Sequence, residues 1–91
     1  MAKIYDVEIT VKSITQSKCH AGHKQGDSWL CKKDKTPGGI CVGAFNAIIP
    51  QLRTLIHGGV HYWDKEGDVS YVSCPDRNVQ VVWELKRLRS D

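Results

Sequence analysis

The chain lacks any long apolar run. Nothing in its 91 residues approaches the roughly 18 consecutive apolar residues of a membrane-spanning helix, so no membrane association is expected. Its first stretch, MAKIYDVEITVK, interrupts its apolar positions with Asp6 and Glu8 and does not read as a signal peptide. There is no internal repeat, linker or low-complexity tract, which leaves one small domain over residues 1–91 with little surplus stability. Charge of one sign is also missing, since 13 basic residues face 10 acidic ones for a net charge of +3. The basic clusters, Lys32, Lys33 and Lys35 and then Lys86, Arg87 and Arg89, have no accompanying row of aromatics. Each reads as a solvated turn or tail, and no nucleic-acid partner is expected. Without an export signal the expected setting is cytoplasmic, and the four cysteines are expected as reduced thiols or metal ligands before disulfides.

What the chain does have is one stretch able to make a substantial helix, TPGGICVGAFNAIIPQLRTLIHGG at residues 36–59. Val42, Phe45, Ile48, Ile49, Leu52, Leu55 and Ile56 recur at spacings of three and four, which predicts a helix from about Cys41 or Val42 with a wide apolar stripe. Pro50 interrupts that stripe, predicting either a kink or two short helices. Gly58 and Gly59 stop it, and His57 stands where positive charge suits a helix C-terminus.

The remaining segments read as strands and turns. Tyr5, Val7, Ile9 and Val11 alternate with Asp6, Glu8, Thr10 and Lys12, predicting a half-buried strand over residues 3–14. A second short strand is expected over 28–33, a brief one over 60–63, and a hairpin of 69–74 with 79–88 joined through CPDRN. Asp27 and Asp68, each after a glycine, read as turn residues. The predicted fold class is α+β: a small mixed or antiparallel sheet with one Pro-kinked helical segment packed on a face.

Chemistry would gather at the cysteines and histidines. Cys19, His20 and His23 fall within five residues, with Cys31, Cys41 and Cys74 further on. Thiolate and imidazole suit zinc or iron, and C-x₃-H brings two ligands within reach of one ion. No pair of C-x-x-C knuckles is present, so the competing reading keeps Cys31 and Cys74 as small buried apolar residues and the loop histidines as solvated. Cys41 has a second role open to it. A thiol in the first turn of a helix has its thiolate stabilised by unpaired amides and the helix dipole, which makes it a candidate catalytic nucleophile. His57 and His61, or His23, are the candidate bases for Cys41, and the alternative for His57 and His61 is that they serve only the helix end and the core around Trp63.

The segments CHAGHKQGD, TPGGICVGAFNAIIPQL, HGG and VSCPDRNVQVVWELKR, in that order, resemble a family of uncharacterised small bacterial and archaeal proteins of about this length. The resemblance spans nearly the whole chain. It implies a single compact domain in which Cys19, Cys41, Cys74 and the pattern at Gly22, His23, Gly26 and Asp27 are family features, whereas Cys31 and His20 stand outside them.

The leading expectation is a Cys/His metal-binding module or accessory subunit, with Cys19, His23, Cys41 and Cys74 on one zinc or iron ion. Such a staple stabilises a domain this small. The rival expectations are a small thiol-dependent enzyme or small-molecule-binding protein using Cys41, and a structural or interaction module with inert thiols that binds a protein partner or forms a homo-oligomer. An exposed patch at Tyr62, Trp63 and Tyr71 would suit the last.

Overall fold

A computed structural model describes residues 4–14, 24–32, 35–62, 65, 67–73 and 81–88. It contains four strands and one helix: β1 (Asp6–Ile14), β2 (Ser28–Cys31), α1 (Val42–Ile56), β3 (Val69–Ser73) and β4 (Val81–Leu88). The strands form one antiparallel sheet in the order β2-β1-β4-β3, with α1 against one face, which is the α+β class expected.

The register follows from alternation. Val7, Ile9 and Val11 of β1 stand opposite Arg87, Leu85 and Trp83 of β4 and are buried with them, whereas Asp6, Glu8 and Thr10 lie on the open face. A bulge at Lys12 puts one extra residue into β1 between the pairs Val11–Trp83 and Ser13–Val82. Its effect is to flip the parity, so Ile14, which strict alternation assigns to the wet face, pairs with Val81 and packs on the core.

Ala44, Ile48, Leu52, Leu55 and Ile56 are the buried residues of α1 and cover Trp83, Ile9 and Leu85 in a single cluster. Each large apolar side chain so enclosed contributes about 1.5–3 kcal/mol. The observed stripe is narrower than the spacing predicts. Val42 is 85% exposed and Ile49 is 37% exposed, while Ala44 is buried. Pro50 does not divide the segment: α1 is one helix with Pro50 inside it, on the exposed side. The cost of the missing amide is taken on the face away from the core.

Two further expectations are corrected. Residues 60–62 form no strand. Arg87, read as part of a solvated tail, is 2% exposed and continues the inner face of β4.

Candidate functional site

The helix begins from a strap, residues 35–40, that returns from the end of β2. Gly38 (φ 76°) and Gly39 (φ 82°) both take the left-handed conformation, and a Cβ on Gly39 would lie 3.2 Å from Nε1 of Trp29. Two successive glycines are what this reversal against an indole permits. Ile40 and Cys41 then pack onto the edge of the core. Cys41 is the N-cap, its carbonyl accepting the Phe45 amide at 2.9 Å, and its side chain makes no capping hydrogen bond. No acidic residue occupies the first turn. The half-buried thiol of Cys41 thus stands at the positive end of α1, with Sγ 4.0 Å from where a Cβ on Gly43 would sit.

The other end of α1 is closed differently. The Gly58 amide donates to Leu55 O at 3.1 Å and the Gly59 amide to Thr54 O at 2.8 Å, with Gly58 at φ 83°. This 5→2 plus 6→1 pattern is a Schellman motif. His57 is the C-cap and its side chain is exposed. Cys41 and His57 therefore cap opposite ends of one helix, about 24 Å apart at 1.5 Å per residue. A Cys41–His57 dyad is not formed. His61 follows past the same end as His57 and is half-buried.

Arg87 organises that end. Nη1 donates to Leu55 O at 3.1 Å and Gly59 O at 2.8 Å, Nη2 to Gly67 O at 2.9 Å, and Nε to Oδ1 of Asp68 at 2.9 Å. Its guanidinium carbon lies 5.3 Å from the centre of the Tyr5 ring, and the Tyr5 amide donates to Ile56 O at 2.8 Å. All of these partners are structural, and Asp68 is the turn residue the sequence suggests.

With α1 held there, its direction is determined. Ala44 and Ile56, both buried against the sheet, are twelve residues or about 18 Å apart, whereas four strands span only about 14 Å in width. The helix advances along the strands: Leu55 meets Arg87, and Gln51, one turn earlier, donates to Ser70 and Tyr71, which pair with Leu85 and Glu84, so Cys41 lies toward the end of the sheet opposite Arg87. The chain enters segment 15–23 from Ile14, which pairs with Val81, and enters segment 74–80 from Ser73, which pairs with Val82. Both departures are at that same opposite end.

Cys19, His20, His23 and Cys74, like Trp63, lie outside the described residues. Among the described residues no group of three or more His, Cys, Asp or Glu side chains could hold a metal. Cys31 is buried at the Arg87 end of the sheet, opposite Val7, and its Sγ donates to Lys35 O at 3.2 Å. That placement suits a small packing residue. Asp27 closes the turn from Lys24, accepting the Lys24 amide on Oδ2 at 2.9 Å while Gly26 takes φ 94°. Tyr62 and Tyr71 are 94% and 50% exposed.

No helix among the described residues is long and apolar enough to cross a membrane. No protein-family model, curated protein or solved structure matches the chain.

Proposed function

We propose that the protein is a small cytoplasmic metal-binding module in which Cys41, together with Cys19, His23 and Cys74, holds one zinc or iron ion. The observation that carries the reading is the common end of the sheet: the Cys41 N-cap is directed toward it, and the segments bearing Cys19 with His23 and Cys74 both leave the sheet there. Three thiolates and one imidazole make a closed tetrahedral set, the form taken by structural rather than catalytic zinc. The module would then serve its own stability or a protein partner, or form a homo-oligomer.

The test is elemental analysis of protein purified without chelator or affinity metal, followed by cobalt(II) substitution. The reading requires about one equivalent of metal. It also requires tetrahedral ligand-field bands and thiolate-to-cobalt charge transfer that weaken in Cys19→Ser, Cys41→Ser and Cys74→Ser alike. Metal-free protein that takes up no cobalt overturns it. Rapid alkylation of Cys41 alone in such protein would move the assignment to thiol chemistry at the helix N-terminus, without His57 as its base.

A further inference from the structure

A trough of about 140 Å³ runs between the end of β2 and the flank of α1, on the β2 side of the helix. Its floor is Cys31, Leu52 and Ile56 and its wall is Phe45 and Ile49, while Lys35 and Arg53 stand at its mouth. Ile49, which the spacing assigned to the core, and Phe45, which is half-buried, present their apolar surface here. Two neighbouring hollows, of about 230 and 220 Å³, continue the trough around the strap, and Thr36 lines all three. Lys32 joins the cationic rim through the first of them.

Charge decides what could occupy this space. Among the described residues, those lining the three hollows include three cations, Lys32, Lys35 and Arg53, and no carboxylate. Among the described residues Lys35 and Arg53 make no ion pair, and both are exposed at the mouth. A volume near 150 Å³ is the scale at which an apolar cavity takes up a benzene-sized ring. An apolar interior of that size with ammonium and guanidinium groups at its mouth complements a body of one ring or a short alkyl chain ending in a carboxylate. Arg in particular favours the planar carboxylate through its two parallel donors.

We infer that this trough is a binding site for small apolar monocarboxylates, the ring or chain lying against Phe45, Ile49 and Leu52 and the carboxylate meeting Arg53 and Lys35. The inference is independent of the metal reading, because none of its residues is a proposed metal ligand and Cys31 lies at the opposite end of the sheet from the end Cys41 faces.

Titration of the ¹⁵N-labelled full chain with phenylacetate and with hexanoate tests it. Saturable shifts are expected at the amides of residues 31, 35, 36, 45, 49 and 53, with millimolar or tighter dissociation constants. The neutral 2-phenylethanol should bind roughly tenfold more weakly, the share of one charge-assisted contact. Arg53→Gln should weaken phenylacetate by a similar factor, whereas Lys86→Gln, an exposed charge on the open sheet face, should leave it unchanged. Each of these results overturns the inference: no saturable shift, equal binding of the alcohol, equal binding of inorganic phosphate, or shifts at these amides that follow protein concentration without ligand. The last would assign the trough to a second copy of the chain. An acidic peptide that binds where both acids fail would overturn it equally.

Discussion

Arg87 donates through Nη1 to the carbonyl of Leu55 at 3.1 Å, joining the last strand to the last turn of the helix across 32 residues of sequence. The same nitrogen reaches Gly59 O and the other two nitrogens reach Gly67 O and Asp68, so one side chain ties the end of α1 to both ends of the connection that leads to β3. A buried guanidinium is tolerated only because its donors are occupied.

Arg87→Met should therefore cost about 3–5 kcal/mol, since it leaves buried carbonyls and the Asp68 carboxylate without their donor. Arg87→Lys should recover little, because one ammonium on a flexible stem cannot reproduce the planar fork. Asp68→Asn should cost less than either, as its carboxylate is 38% exposed and regains water. Urea denaturation of the three variants checks the order, and an Arg87→Met midpoint close to that of the parent would show that the connection stands without the pin.

The burial of Arg87 was within reach of the sequence. Val81, Trp83 and Leu85 alternate with Val82, Glu84 and Lys86, and one further step of two from Leu85 lands on Arg87. Its charge, and two cationic neighbours, argued for solvent instead, and the partners that make burial tolerable are backbone carbonyls, which no residue type announces. The helix shows the opposite error. Val42 and Ile49 satisfy the three-and-four spacing, yet the sheet covers an arc centred on Ile48 that reaches Ala44 and Leu52 and stops short of them. Periodicity finds a stripe, and the neighbouring layer sets its width. Cys41 at the helix start and the glycines at its end were legible because caps are local. The proposed meeting of Cys19, His23 and Cys74 with Cys41 depends on how distant segments come together, which is not a local property, and those three residues lie outside the described part of the chain.

Gly59→Ala should destabilise by about 1–3 kcal/mol, the range for overpacking, because the added Cβ would lie 2.8 Å from Cγ2 of Thr54 and 3.2 Å from its carbonyl oxygen. Thr54→Ser removes that methyl and keeps the hydroxyl that bonds Pro50 O at 3.2 Å. A double-mutant cycle measured by thermal unfolding should recover part of the loss in the pair. Strict additivity would place the cost in the backbone instead.

Pro50→Ala should stabilise the protein. Pro50 is exposed, so little packing is lost, and alanine restores the amide that the helix interior lacks. Proline in such a position costs up to about 3 kcal/mol, offset in part by the freedom it removes from the unfolded chain, so a gain of about 1–2 kcal/mol is expected. A lower melting temperature for Pro50→Ala would mean that the proline ring sets a helix shape on which the core depends.

Cys41→Ser separates the metal module from an inert thiol by the sign of its effect. Serine is a far better N-cap than cysteine, and at position 41 the native side chain makes no capping hydrogen bond. In metal-free protein the substitution should hold stability or raise it by up to about 1 kcal/mol. If Cys41 is a ligand, the same substitution removes one of four bonds to the ion, and the metal-loaded protein should then melt lower than its loaded parent, because binding energy at such a site is folding energy. Thermal unfolding with and without zinc, on parent and variant, gives the four values needed. A reversal of sign on adding zinc supports coordination by Cys41. The same sign in both conditions, with no zinc-induced rise in the parent, would make the N-cap a matter of helix capping alone.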